Sequence, residues 1–140
     1  MKILPTREAV LPFAYEWVDL LARDRYEEAF DLLYHPTNEE WTPEIMRQLV
    51  ANYGSLQPFH DGRTFRITPP SSAVLGADRT NTTQEICWCD EGERERRPQQ
   101  AGFLDFDVPL NGQWSDLTLT FNVNEQPSGY VLELTGIHVL

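Results

Sequence analysis

The chain has 140 residues, of which 22 are acidic and 11 are basic, so its formal net charge at pH 7 is −11. With 41% hydrophobic and 11% aromatic residues, the composition is typical of one globular domain over residues 1–140 and excludes collagen, coiled coils and intrinsic disorder. The shortage of Lys and Arg argues against a protein that follows nucleic-acid phosphates, so we expect no nucleic-acid partner. A basic protein is the better electrostatic match, although solubility alone also accounts for the negative charge.

The N-terminus carries no recognisable targeting signal, because the polar residues Thr6, Arg7 and Glu8 follow the first apolar residues. The sequence also lacks a run of about 18 apolar residues, the length that spans a membrane, so we expect no membrane partner. Cys87 and Cys89 lie on one face of a predicted strand about 7 Å apart, too far for an unstrained disulfide. These observations favour the cytoplasm, where thiols stay reduced.

Apolar residues recur at helical spacing in three segments of the N-terminal third. The predicted helices start after the N-caps Thr6, Asp24 and Thr42 and end near Ala22, Tyr34 and Gly54, respectively. Pro36 stops the second helix, whose first residue is about Arg25. In the third helix, Pro43 takes the first helical position and Gly54 is the predicted C′ residue, just beyond the helix.

The rest of the chain alternates apolar and polar residues in the manner of β-strands. The predicted strands are Thr64–Thr68, the weaker Ala73–Leu75, Thr83–Asp90, Leu104–Leu110, Leu117–Val123 and Tyr130–Leu140. Asn111 and Gly112 predict a tight hairpin turn, and residues 91–100 are predicted to be a loop, with the charged stretch 91–97 as a solvated hairpin tip. Helices followed by antiparallel strands indicate an α+β domain.

This order of elements resembles the NTF2-like superfamily, also called cystatin-like, in which three N-terminal helices pack on a curved antiparallel sheet to form a cone. In residues 20–33 a long helix ends, an acidic turn follows and a second helix opens with an aromatic residue and alanine, which is similar to such domains. The helix from Thr42 to Gly54 is similar too, and Val108–Thr118 looks like a signature of uncharacterised bacterial members. The superfamily includes isomerases, dehydratases, polyketide cyclases, transport adaptors and toxin-neutralising immunity proteins, so the resemblance implies a fold and leaves the function open.

In the enzymatic members of this superfamily, a pocket Asp or His removes a proton next to a carbonyl. The resemblance therefore implies that an enzyme of this kind would have such a residue. Asp105 shares a strand face with Asp107, and His138 is in phase with Leu132 and Leu134, so it is expected to point into the concave interior. Alternation with apolar neighbours favours a solvated face for both acids. A hydrogen-bonded histidine of the core or sheet edge is the competing interpretation of His138. We therefore assign no catalytic residue and keep His138 and Asp105 as candidates.

Aromatic residues provide a possible ligand pocket, which is formed by Tyr15, Trp17, Trp88 and Tyr130. Core packing explains the same residues equally well. No metal is expected, because Cys87 and Cys89 form a single pair and a structural zinc site needs four ligands. No cofactor is expected either, since the sequence has no Gly-rich phosphate loop.

An acidic segment with one aromatic residue predicts a protein interface. Asp31, Glu39, Glu40 and Glu44 form a cluster without interleaved bases, and Trp41 lies among them as an aromatic anchor. Favourable interaction with the helix dipole is an equally good explanation of Glu44.

Two function hypotheses follow. The first is a non-enzymatic cytosolic binding module, of the immunity type, that neutralises a toxin through its acidic surface. The second is a small-molecule enzyme or ligand binder of the isomerase or cyclase kind that uses a pocket Asp or His. A third possibility is a homodimer formed through the outer sheet face, where Thr118, Thr120 and Asn122 provide polar contacts.

Overall fold

A computed structural model describes residues 1–89 and 99–140. It shows three α-helices followed by a four-stranded antiparallel sheet, which confirms the predicted α+β class. The predicted hairpin tip at 91–97 lies outside the described residues, as does the rest of the predicted loop at 91–100 apart from its last two positions. In the described parts of the chain, no helix has the length and apolar character needed to cross a membrane.

The helices are α1 (Val10–Ala22), α2 (Tyr26–Asp31) and α3 (Pro43–Ala51). Helix α1 ends at the predicted residue but follows a 3-10 turn at Arg7–Ala9, and Thr6 caps that turn without a side-chain hydrogen bond. Helix α2 is shorter than the predicted 25–34. Its N-cap is Arg25, because Asp24 adopts a left-handed backbone with φ of 59°. Beyond the helix, the Tyr34 N–H donates to the Leu132 carbonyl at 2.8 Å, so pairing with a strand replaces the last helical turn.

Helix α3 begins as predicted, since the Thr42 hydroxyl accepts a hydrogen bond from the backbone N–H of Ile45 at 3.1 Å. Its C-terminus differs by one residue from the prediction. Tyr53, with φ of 58°, takes the left-handed C′ position, and the Gly54 N–H donates to the Leu49 carbonyl at 2.6 Å. This is a Schellman arrangement in which Gly54 is the C″ residue.

The strands are β1 (Gln84–Trp88), β2 (Gln100–Leu110), β3 (Gln113–Gln126) and β4 (Gly129–Val139), hydrogen-bonded in that order. The predicted turn at Asn111 and Gly112 is confirmed, and both residues have positive φ as a type I′ turn requires. Cys87 is exposed and Cys89 is buried just beyond β1, and no disulfide joins them.

The predicted strands before β1 are wrong as strands. In Thr64–Thr68 only Ile67 forms a bridge, to Leu110, while the Phe65 N–H donates to the carbonyl of Ala51. Ala73–Leu75 is reduced to a bridge between Val74 and Gln113. Phe65 packs against Tyr53 and Phe59 while Ile67 lies in the core, so the two apolar residues of the first segment do not share one sheet face. Val74 and Leu75 are exposed, and the prolines at 69 and 70 cannot donate to a ladder.

One face of the sheet, the inner face, packs on α1 and carries the core. Trp17 is fully buried there, where its ring meets Phe121 edge-on at 5.4 Å and its Nε1 donates to the Ala29 carbonyl at 2.8 Å. The opposite, outer face carries the polar residues of β2, β3 and β4. Its residues Thr118 and Asn122 are buried within the chain, so the exposed polar dimer surface expected there is not present at these two positions.

A β-bulge in β4 changes which residues face the core. The register pairs Phe121 with Leu134 and Thr120 with Gly136, which leaves Thr135 as the extra residue. Beyond the bulge the alternation is shifted by one residue. His138 therefore lies exposed on the outer face, and the expectation that it points into the interior is wrong.

Candidate functional site

An open groove of about 1130 Å³, here called the edge groove, lies between segment 34–41, helix α3 and strand β4. Its apolar lining includes Tyr34, Trp41, Ile45, Leu49, Leu56 and Leu134. Trp41 is half-buried, with part of its side chain packed against the core and part lining the groove. The side-chain amide of Gln48 donates to the Leu56 carbonyl at 3.1 Å and holds this exposed leucine beside the groove.

One wall of the edge groove is held in place by His35. The ring Nε2 lies 2.7 Å from the Phe30 carbonyl, and since a carbonyl only accepts, this nitrogen carries a hydrogen. The ring also stacks on Phe30 at a centroid distance of 4.0 Å. Its Nδ1 is hydrogen-bonded to the Glu39 carboxylate, which is 8% exposed. These contacts, together with the turn hydrogen bond from the Glu39 N–H to the Pro36 carbonyl at 3.1 Å, fix segment 34–41.

The edge groove is acidic. Glu39, Glu40 and Glu133 line it, and no Lys or Arg is among its lining residues in the described ranges. The structure thus brings together three of the five residues of the predicted interface segment, Trp41, Glu39 and Glu40, while Glu44 is exposed in the first turn of α3 and does not line the groove. It leaves Asp31 outside, exposed at the end of α2, where its carbonyl accepts a hydrogen bond from the N-terminal ammonium at 2.8 Å.

A buried polar ladder adjoins the edge groove on the outer face of the sheet. The side-chain amides of Asn122 and Asn124 donate to Glu133 Oε1 at 3.4 and 3.0 Å, and that of Gln100 donates to Asn122 at 2.9 Å. Glu133 is 8% exposed, so amide donors compensate for much of the solvation its carboxylate loses. One sequence signal pointed to Glu133, an acid between the two core leucines Leu132 and Leu134, and our interpretation missed it.

The predicted pocket aromatics do not meet in one cavity. Tyr15 packs edge-on against Phe106 at 4.9 Å, and Trp17 lies in the core. Trp88 and Tyr130 form a separate pair with centroids 5.7 Å apart. None of the four predicted residues lines the edge groove.

The candidate acids on β2 differ from each other. The Asp107 carboxylate accepts hydrogen bonds from the Thr118 hydroxyl at 2.7 Å and from the backbone of Thr83 at 3.1 Å, and its side chain is 13% exposed. The expectation of a solvated charge is therefore wrong for Asp107. Asp105 is half-buried on the same face, and neither Asp105 nor His138 lines the edge groove.

A second cavity of about 490 Å³ lies beyond the C-terminus of α3. There the Tyr53 hydroxyl donates to the Asp116 carboxylate, and burial, followed by this bond, raises the pKa of Tyr53 to about 12. The hydroxyl therefore stays protonated at neutral pH and acts as a donor. Arg79 lies at the same cavity, and its buried Nε has no hydrogen-bond partner among the described residues. The sequence interpretation gave Tyr53 and Arg79 no functional role and placed Asp116 in a solvent-facing acidic patch with Asp105 and Asp107.

Comparisons with known proteins return no relative of this chain. No family model, no curated protein and no solved structure matches it. Its function is therefore inferred from the edge groove and the second cavity.

Proposed function

We propose that this chain is a non-enzymatic protein-binding module that holds a basic partner protein in the edge groove. The observation that carries the proposal is the position of Trp41, half-buried in the groove lining, with the exposed Glu40 next to it in the chain and in the same lining. Aromatic anchors at the centre of an interface supply much of its binding energy. A rim of opposite charge orients the partner and speeds its approach.

The whole chain supports the same partner chemistry. Its net charge of −11 attracts a basic surface from a distance, such as the nucleic-acid groove of a toxic nuclease. The three helices followed by an antiparallel sheet also support the proposal of an NTF2-like fold, a superfamily that includes immunity proteins. An immunity-type protein that blocks such a toxin in the cytoplasm is the specific form of this function.

The first prediction concerns Trp41. Replacement by alanine should weaken partner association by about 2 kcal/mol or more, the usual loss at an interface anchor. Native mass spectrometry of the protein isolated gently from its own cells measures the complex, which salt should dissociate. Glu40→Gln should also weaken it. Glu16→Gln, the same change on exposed α1 outside the edge groove, is the matched control and should not. A complex that survives Trp41→Ala unchanged would remove the edge groove from the interface.

The alternative, a small-molecule enzyme or ligand binder, has one observation in its favour. The second cavity brings the Asp116 carboxylate, the Tyr53 hydroxyl and Arg79 to one polar site. In that case, the same spectrum would contain a small added mass that survives desalting and disappears in Asp116→Asn. A homodimer peak that Trp41→Ala leaves unchanged would support the third possibility.

A further inference from the structure

The outer edge of β4 is paired along only part of its length. Tyr130 exchanges two backbone hydrogen bonds with Leu4, both at 2.8 Å, and the Leu132 carbonyl accepts one from Tyr34 at 2.8 Å. In an antiparallel strand every second residue directs its backbone N–H and C=O to the same side. The register with β3 is regular from Tyr130 to Leu134, so Leu134 also directs both groups to the outer edge.

No backbone partner from the described parts of the chain reaches Leu134 on this side. Further along β4, Gly54 closes the edge, since a Cβ atom at this glycine would lie 3.3 Å from the His138 Cα and 3.6 Å from the Ile137 carbonyl oxygen. The open stretch therefore lies between Tyr34 and Gly54. Leu134 and Thr135, which form this stretch, line the edge groove.

Two features of the edge groove favour a polypeptide as its occupant. Its volume of about 1130 Å³ exceeds the roughly 300–1,000 Å³ of pockets that hold drug-sized ligands. Unpaired strand groups at its base fit the backbone of an extended chain. A second copy of this protein is the poorer occupant, because a symmetric contact would bring the acidic groups Glu39 and Glu40 of two molecules together.

We propose that the edge groove binds an extended, basic segment of the partner, which pairs with Leu134 as an added strand next to β4. This inference rests on the proposed protein-binding function and specifies how the partner is held. Side chains alternate along a strand, so one set packs on Trp41 and Leu49 while the other carries Lys or Arg towards the exposed Glu40. The recognised segment alternates apolar and basic residues.

The probe is a fluorescein-labelled heptapeptide in which Lys alternates with Val or Leu, and its counterpart carries Glu in place of Lys. Fluorescence anisotropy should show that the basic peptide binds at least about tenfold more tightly than the acidic one. Two further basic peptides are N-methylated, one on every apolar residue and the other on every Lys. In an added strand, the backbone N–H groups of alternate residues point towards β4, so either the apolar residues or the lysines donate to it. One methylated peptide should therefore lose about tenfold or more in affinity, while the other retains its affinity.

The protein supplies a second readout. Binding of the basic peptide should slow amide hydrogen exchange at Leu134, which the partner backbone covers in the proposed complex. Glu40→Gln and Trp41→Ala should each weaken binding of the basic peptide, and the control Glu16→Gln should leave that binding unchanged. Circular dichroism of each variant checks that it is folded.

The outcomes separate the two proposals. Equal binding of both methylated peptides, with unchanged exchange at Leu134, would overturn strand addition and leave the acidic binding groove in place. The absence of a preference for the basic peptide, or binding that is unaffected by both Trp41→Ala and Glu40→Gln, would overturn the binding function as well. A dimer whose Leu134 amide is already protected without peptide would place a second copy on the edge and overturn the proposal.

Discussion

At the scale of single residues, Arg47 joins α3 to the turn before α2. Its guanidinium donates to the two carboxylate oxygens of Glu27 at 2.8 and 3.1 Å and to Asp24 Oδ1 at 3.1 Å, and it lies 4.9 Å over the Tyr26 ring. The hydrogen bonds from Arg47 hold the pKa of Glu27 below its ordinary value of 4.5. One side chain therefore connects two helices through charge and through packing.

Replacement of Arg47 by methionine should lower the melting temperature at neutral pH. Because the pKa of Glu27 is lower in the folded protein, the ion pair stabilises the fold above the unfolded pKa, and this contribution is lost as the pH falls through the folded pKa. The difference between Arg47→Met and the unmodified protein should therefore shrink well below pH 4.5. Thermal denaturation at neutral pH and well below pH 4.5 measures this difference in melting temperature, with Arg66→Met on the exposed surface as the control. A difference that persists in acid would assign the effect to packing on Tyr26.

The two aspartates of β2 should respond differently to the same substitution. Asp107→Ala leaves the Thr83 N–H without its acceptor and removes the nearer of the two acceptors of the Thr118 hydroxyl, so it should lower the free energy of unfolding by roughly 1–3 kcal/mol. Asp105→Ala, on the same strand face, should change it by less than about 0.5 kcal/mol. Urea denaturation of both variants makes the comparison. Equal losses of unfolding free energy in the two variants would show that the hydrogen bonds of Asp107 add no stability.

At the scale of elements, the sequence predicted the helix cap and the turn that depend only on neighbouring residues. The cap at Thr42 and the turn at Asn111 depend on residues a few positions apart, and both are confirmed. The short α2 and the lost strand at 64–68 were not predictable, because Tyr34 pairs with Leu132 and Phe65 with Ala51 across long separations in the sequence. The interface residues were partly predictable as a segment. That these residues lie beside Leu134 depends on the order of strands in the sheet, which cannot be read from the periodicity of the sequence.

The contact between the end of α3 and β4 can be tested at Gly54. With φ of 90° and the His138 Cα 3.3 Å from a Cβ position, Gly54→Ala should combine backbone strain with a steric clash. Gly112→Ala has a similar φ of 91° and open space around it, so it isolates the cost of strain, about 1–2 kcal/mol. We expect the larger loss at Gly54 in chemical denaturation. Equal losses would show that the helix end can move away from β4.

At the scale of the whole molecule, charge acts on the rate of association. The net charge of −11 and the acidic edge groove should draw a basic peptide in from a distance that the Debye length limits, about 30 Å at 0.01 M salt and about 3 Å at 1 M. The association rate constant for the basic heptapeptide should therefore fall steeply with salt, and that of an uncharged analogue should not. Stopped-flow fluorescence at several salt concentrations measures both. Parallel salt curves would show that charge does not guide the encounter.

The bulge at Thr135 divides β4 into two frames of alternation. Before it Leu132 and Leu134 face the core, and after it Ile137 does, while His138 remains in solvent. The extra residue at the bulge therefore decides which side of the sheet each C-terminal residue faces, whatever the types of those residues. A change of length by a single residue there would invert the C-terminal segment even with every side chain preserved.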